Sequence, residues 1–285
     1  MDLSITRYPL SEFKALLPLL TACFPDFWGP RLAEGKYSFP YDLKLFTACT
    51  EGKMAGCIGI HGYPFLLGDT PIPCGGVSDV AVAPEFRGRG YASQLQEYVL
   101  AFCRRRYKRC VFIPLYTDKP GVYTRLGWQV YHSDRSTEIQ TADFPPQNTF
   151  TFDANRLSLP CLRGSRAPRT DEEKKAWQII NIYTGGKNFD GKCCRSGKTW
   201  WELFADRSHR WRLENDTCYL YKEESLLEAY SLDPCHPVSR FTPRHGGHDD
   251  NKVMINFPGI KSETEKQLAA AIEKRSFVFP AADVF

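Results

Sequence analysis

Residues Val80-Ala81-Val82-Ala83-Pro84-Glu85-Phe86-Arg87-Gly88-Arg89-Gly90-Tyr91-Ala92 carry the types and spacing needed to bind phosphate. An apolar, β-branched run enters a Gly- and Arg-rich turn, and an amphipathic helical pattern leaves it. The first N–H groups of a helix have no intrahelical acceptor, and the helix dipole favours negative charge at that end. Gly88 and Gly90 let the backbone approach a ligand closely, and Arg87 and Arg89 add positive charge at the rim. Such a turn suits a pyrophosphate. It is not the dinucleotide fingerprint: only Gly88-Arg89-Gly90 of G-x-G-x-x-G is present, and this is not the first strand–helix unit of the chain. Gly191 to Thr199 nearly spells a nucleotide P-loop, but its glycines are one residue too far apart and no apolar strand precedes them. That stretch reads as a polar loop.

The turn must be held by the elements around it. Ser11 precedes a helical run with Phe13, Leu16, Leu17 and Leu20 on one face. Leu43–Cys49 and Met54–Ile60 read as a hairpin about Glu51-Gly52, and Gly76–Val82 as the strand that feeds the turn. A helix opens at Gly90 with Leu95, Val99 and Phe102 as its stripe. A buried strand at Cys110–Leu115, a short helix after Pro120 and a strand from Gly127 to Tyr131 follow. Prolines 145, 146, 160 and 168 mark a boundary. Beyond it, helices at Asp171–Thr184 and Thr199–Arg207 precede strands at Trp211–Leu213, Cys218–Lys222, Leu226–Leu232 and Val253–Phe257. Ser262 to Glu265 reads as a capping box for a last helix. The expected class is α+β with mixed α/β character. It divides into residues 1–142, a linker at 143–170, and a smaller α+β unit at 171–285.

Arg87-Gly88-Arg89-Gly90-Tyr91-Ala92 resembles in full the Gln/Arg-x-x-Gly-x-Gly/Ala signature of the GNAT superfamily of N-acyltransferases. The preceding V-x-V-x-P and the upstream hairpin resemble the family's order, so the resemblance covers about residues 1 to 140. It implies the GNAT fold with a central mixed, twisted sheet, and acetyl-CoA as co-substrate. The implied cofactor-binding residues are Val80, Ala81, Val82, Arg87, Gly88, Arg89, Gly90, Tyr91, Ala92 and Ser93. Val122-Tyr123-Thr124-Arg125-Leu126-Gly127-Trp128 resembles the family's F-Y-x-x-x-G-F segment. That implies Tyr123 as the acid that protonates the departing thiolate, a group of pKa about 8.5 that leaves more easily with a proton delivered. Read from its residue type alone, Tyr123 is equally a core aromatic. The nearest subgroup is the enhanced-intracellular-survival family of acetyltransferases, which PIPCGGVSDVAVAPEFRGRG resembles. That likeness implies a degenerate GNAT-like second half without a second cofactor turn, and the C-terminal carboxylate, here on Phe285, as general base.

The reaction so implied is direct acetyl transfer to the primary amine of a small molecule. A protein or peptide N-acetyltransferase and a non-catalytic acyl-CoA-binding module are the alternatives. An amine of pKa about 10 is mostly protonated at neutral pH, so a base or a water chain must take its proton. Asp26, Asp79 and Asp118 are candidates by location alone. Pro25 to Pro30, which holds Asp26, Phe27 and Trp28, is the loop expected to shape the acceptor pocket, its aromatics and one acid suited to a cation or to core packing. Arg104-Arg105-Arg106, Lys108 and Arg109 read either as a cationic helix end or as an aid in holding a phosphate of CoA.

Composition bounds the remainder. The 285 residues are 42% hydrophobic and 25% charged, which excludes a disordered or collagen-like chain. No apolar run reaches the roughly 20 residues that span a bilayer, and the first residues lack a signal-peptide pattern. Thirty-seven Lys and Arg against 33 Asp and Glu leave a net charge of +4, too mild to point to nucleic acid. Eleven irregularly spaced cysteines with no Cys-x-x-Cys pair argue for free thiols in a reducing cytoplasm. His245 to Asp250 has metal-ligand types, but loop composition and the lack of a third partner favour a solvated turn, so no metal is expected. Neither a membrane nor a nucleic-acid partner is expected, and a homo-oligomer is compatible with the resemblance.

Overall fold

In the computed structural model the described residues are 3–26, 28–29, 43–106, 113–130, 146–186, 193–222, 225–233, 252–256, 266–267 and 270. Phe285, the loop at 245–250 and the capping box at 262–265 lie outside them.

Strands β1 (Ser4–Tyr8), β2 (Lys44–Thr50), β3 (Lys53–Leu67) and β4 (Thr70–Val82) form a four-stranded antiparallel sheet in that order. The β2–β3 hairpin turns at Glu51-Gly52, where both residues take positive φ. β3 and β4 run longer than the sequence pattern suggests. Pro64 stands opposite Pro73, and pairing continues to Leu67 and Thr70. The arm projects beyond β2, and proline, which has no N–H to donate, suits such positions outside the central ladder.

Helix α1 (Leu17–Cys23), reached through a 3-10 turn at Leu10–Leu16, covers one face of this sheet. Phe13, Leu16, Leu20, Trp28, Leu45, Cys57 and Ala81 are packed there. Helix α2 (Tyr91–Arg106) covers the other, where Leu95, Val99 and Cys103 meet Phe46, Ile58, Ile60 and Val77. The spacing of 95, 99 and 103 is one helical face, so the sequence stripe is the core-facing stripe.

β5 (Ile113–Thr117) runs beside β4, and among the described residues the two share no ladder. It belongs to a second sheet, ordered β5-β10-β6, with β6 at Gln129–Val130 and β10 at Lys252–Asn256. The described ladders are all antiparallel. The sheet therefore parts between β4 and β5. β10, which the sequence boundary assigns to the C-terminal unit, lies between two N-terminal strands, and Asn256 Nδ2 donates to the Leu126 carbonyl at 2.9 Å.

The C-terminal core is built by α3 (Leu159–Leu162), α4 (Asp171–Gly185), α5 (Gly197–Ala205) and the antiparallel sheet β7 (His209–Glu214), β8 (Thr217–Lys222) and β9 (Ser225–Ser231). α4 opens with a capping box, Thr170 with Glu173. Residues 146–170, within the stretch read as a linker at 143–170, pack on this core. Phe152, Leu157 and Leu162 are buried in this core, and Arg166 and Ser158 bond the buried Glu173, so the segment is fixed by apolar burial and an ion pair. The near-P-loop is likewise structural. Arg195 pairs with Glu228 at 2.7 Å, both almost fully buried, and lies over Tyr183 and Trp200. The amide of Cys194 donates to Pro64 O at 2.9 Å, joining this unit to the β3–β4 arm.

Candidate active site

The phosphate-type turn lies where β4 ends. Ala83 caps a 3-10 turn at Pro84–Phe86, and Phe86 and Tyr91 are both buried, with rings 6.3 Å apart. These two aromatics anchor a turn whose other residues, 87 to 90, are exposed. Gly88 and Gly90 have φ of +75° and +77°, the left-handed region that glycine enters without strain. A Cβ at either would meet nothing within 4 Å, so the space before the turn is open. From Gly88 to Ser93 six successive backbone N–H groups meet no acceptor among the described residues. The first helical bond is Gln94 N–H to Gly90 O, at 3.1 Å. The row sits at the positive end of a 16-residue helix, which is the arrangement an anion needs.

The side chains of the turn divide by role. Arg87 Nε donates to Val82 O at 3.2 Å, and Arg89 donates to Glu85 O at 3.3 Å and lies over Phe86. Both guanidinium groups are exposed at the rim. Tyr91 contributes its N–H, since its ring belongs to the core. The sequence reading missed Gln96, which is 1% exposed with neither amide atom hydrogen-bonded. It lies one turn beyond Ala92 on the same helix face, so a buried polar group stands next to the row of unpaired amides. A lone polar residue inside an apolar stripe was the available signal. Arg104 to Arg106 are exposed at the other end of α2, about 20 Å along the axis from the turn, so they suit the helix C-terminus and not a ligand at its start.

The end of β4 is irregular beside Val80 to Val82, which the resemblance implies as cofactor-binding. Cys57 pairs with Ala81 and Gly59 with Ser78, so Asp79 and Val80 face the single Ile58 in a bulge, and Asp79 takes φ of +51°. Among the described residues Val80, Ala81 and Val82 also have no ladder partner on the β5 side. Backbone groups are therefore available to a ligand lying in the parting between β4 and β5.

Tyr123 joins two single 3-10 turns, Pro120–Val122 and Thr124–Leu126, and Gly127 closes the second with φ of +81°. The ring is 9% exposed and packs edge-on against Trp128 at 6.0 Å, in the same cluster as α2. Burial raises the phenol above its usual range, partly offset by a hydrogen bond with the Thr117 side chain. The hydroxyl therefore keeps its proton at neutral pH, as an acid must.

The three acidic candidates separate. Asp26 is exposed, and Asp118 is exposed beside Lys119 at 3.8 Å. Asp79 alone stands in the bulge, where its Oδ1 accepts from Trp28 Nε1 at 3.1 Å and its Oδ2 from Ser78 Oγ at 3.0 Å. Trp28 is thus a buried donor, not an open platform for a cation. His61, which the sequence reading did not single out, contacts Ser78 Oγ through Nε2 at 2.8 Å, and burial lowers its pKa to about 3. Among the described residues no three His, Cys, Asp or Glu side chains gather as metal ligands, and no disulfide joins the described cysteines. No described helix is long and apolar enough to cross a membrane.

Residues 4–131 match the family described as "Acetyltransferase (GNAT) domain". No curated protein matches the chain. Among solved structures, a GCN5-related N-acetyltransferase from Anabaena variabilis is similar at 15% identity and a TM-score of 0.56, over 90% of this chain and 73% of that one. One from Kribbella flavida is similar at 14% identity and a TM-score of 0.55, over 90% and 71%. Eis1 from Mycobacterium abscessus is similar at 17% identity and a TM-score of 0.49, over 78% and 53%.

Proposed function

Because residues 4–131 match the GNAT acetyltransferase domain, we propose that this chain is an acetyl-CoA-dependent N-acetyltransferase that acetylates the primary amine of a small molecule directly. The observation that carries the reading is the row of six unpaired N–H groups from Gly88 to Ser93, opening directly off an irregular strand beside a buried tyrosine.

In this reading the turn amides, with Arg87 and Arg89, bind the pyrophosphate of acetyl-CoA. Val80 to Val82 offer backbone groups to the pantetheine arm in the gap beside β4, and an N–H of the bulge polarises the thioester carbonyl as negative charge develops on its oxygen. The acetyl donor supplies a thioester, a carbon electrophile with a thiolate leaving group. Tyr123, held protonated by burial, delivers a proton to the sulfur as the C–S bond breaks. The C-terminal unit, with its own core and no second turn of this kind among the described residues, supports the fold through β10 and the Cys193–Cys194 contact with the β3–β4 arm.

The test is thiol release from acetyl-CoA with spermidine, kanamycin and a lysine peptide, alongside calorimetric titration of acetyl-CoA. Amine-dependent release with spermidine or kanamycin supports the reading. Release with the lysine peptide alone moves the assignment to a peptide acetyltransferase. Tight acetyl-CoA binding with no release moves it to a binding module.

A further inference from the structure

The acceptor side of the reaction needs a group that draws in a cationic amine and takes its proton. We propose that Asp79 is that group, held in place by Trp28, Ser78 and His61. This rests on the acetyltransferase reading and identifies which residue receives the acceptor.

The geometry of the bulge carries the inference. Asp79 directly precedes Val80, the first residue of the stretch offered to the pantetheine arm, so its carboxylate stands one residue from the backbone that would polarise the thioester. Its left-handed φ removes it from the regular alternation of the strand and turns it, with Ser78, toward the α1 face. There the Trp28 indole bonds one carboxylate oxygen and the Ser78 hydroxyl bonds the other, so both rotation and direction are fixed. Tyr123 belongs to the cluster on the α2 face and Trp28 to the cluster on the α1 face. The two groups therefore serve different atoms: the carboxylate the entering nitrogen and the phenol the departing sulfur, both bonded to one carbon in the tetrahedral intermediate.

The hydrogen-bond order also fixes what the neighbours cannot do. Ser78 has one hydroxyl hydrogen, and it goes to Asp79. His61 must then donate to Ser78 Oγ from Nε2–H, and it stays neutral because it is fully buried. The Ser–His pair is thus oriented away from nucleophilic catalysis, which needs a serine that donates to histidine. Ser78 and His61 are positioning residues for the carboxylate. Gly59 makes this possible: a Cβ there would stand 2.5 Å from Ser78 Oγ, so any larger residue displaces the hydroxyl.

In the transfer itself, the acceptor ammonium gives one proton to the Asp79 carboxylate, and the freed nitrogen lone pair forms the N–C bond to the thioester carbon. As the C–S bond breaks, the sulfur takes the Tyr123 proton. The second nitrogen proton returns to the Tyr123 oxygen, and Asp79 releases its own to water. Acetyl-CoA and the ammonium become the acetamide, free CoA thiol and one proton.

The experiment titrates spermidine calorimetrically into the intact chain, free and saturated with CoA, for wild type, Asp79→Asn and Asp79→Glu. Acetyl-CoA is titrated into each in parallel. Losing a charge-assisted contact of about 1.5–3 kcal/mol weakens spermidine about tenfold to a hundredfold in Asp79→Asn. Asp79→Glu is intermediate, and acetyl-CoA affinity is kept in both. Turnover at saturating spermidine falls further in Asp79→Asn, a kcat effect that loss of binding alone does not produce. If Asp79→Asn does not fold, Ser78→Ala removes one orienting bond and weakens spermidine about twofold to tenfold, since such a bond is worth roughly 0.5–1.5 kcal/mol. Unchanged spermidine affinity in Asp79→Asn, or in Ser78→Ala when that variant stands in, overturns the proposal, as does a wild type that binds no spermidine. So does a parallel loss of acetyl-CoA and spermidine binding, which would make Asp79 only a brace for β4. Failure of wild type to bind acetyl-CoA refutes the acetyltransferase reading separately, because the titration into free protein still reports on Asp79.

Discussion

Replacing Gly88 with alanine tests whether the turn backbone is a binding surface. With φ of +75° at this position, an alanine adopts the left-handed region at a cost of about 1–2 kcal/mol. The stiffer unfolded chain offsets about 0.4–1 kcal/mol, leaving a net loss near ~1 kcal/mol and a fall in melting temperature of about 2–4 °C. Gly52 is the control, since its φ is +73° in the β2–β3 turn and a Cβ there also meets nothing within 4 Å. Gly52→Ala carries the same strain away from the site. In the free protein the two variants melt alike. They differ when acetyl-CoA is titrated. The new methyl at position 88 enters the open space before the unpaired amides and holds a pyrophosphate off them. Losing one charge-assisted bond of about 1.5–3 kcal/mol weakens binding about tenfold to a hundredfold. Gly52→Ala binds as wild type. Equal acetyl-CoA affinity in the two variants would refute the assignment of these amides to the cofactor.

Tyr123→Phe keeps the ring packed on Trp128 and removes the proton, so kcat falls about 10²–10⁴-fold while acetyl-CoA affinity holds, read by thiol release and calorimetry. His61 is held near pKa 3 in the folded state against 6.5 unfolded, so the unfolded chain binds the extra proton. Its contribution is complete above pH 6.5 and is lost as pH falls toward 3, and His61→Gln flattens this part of the stability profile in urea melts. Glu173 is held down to about 2 from 4.5, first by the Arg166 hydrogen bond. Its contribution is present above pH 4.5 and lost toward pH 2, so the melting difference between wild type and Glu173→Gln is widest at neutral pH and narrows over that interval. Asn256→Ala leaves the Leu126 carbonyl without its 2.9 Å donor, costs about 1 kcal/mol and lowers kcat through the Tyr123 turn, measured by denaturant melts and turnover together.

Much of the N-terminal unit was legible because its signals are local. The stripe at Leu95 and Val99 specifies a helix face, Glu51-Gly52 a hairpin, and Arg87 to Ala92 a turn with positive φ at two glycines. Each depends on residues within a few positions, and each stands where the pattern put it. The β3–β4 arm was legible only in part, since Pro64 and Pro73 argue against strand unless both lie on an arm beyond the neighbouring strand. In the proline-rich stretch before Thr170, proline density reports broken backbone and says nothing of the burial of Phe152 and Leu162.

The sequence by itself determined the chemistry of the turn, the helix that starts there, and Tyr123 as a tyrosine in a fitting segment. All three follow from short-range backbone preference and residue type. The tertiary structure decided which acid is held at the strand that feeds the turn. Asp26, Asp79 and Asp118 are equivalent as letters, and only a bulge against Ile58, with Trp28 and Ser78 brought to it, sets Asp79 apart. It also decided that residues 252–256 join a sheet with residues 113–117 and that the described residues of β4 and β5 share no ladder. Strand pairing across more than a hundred residues depends on which edges remain unpaired once the local elements have formed, and no local pattern records that.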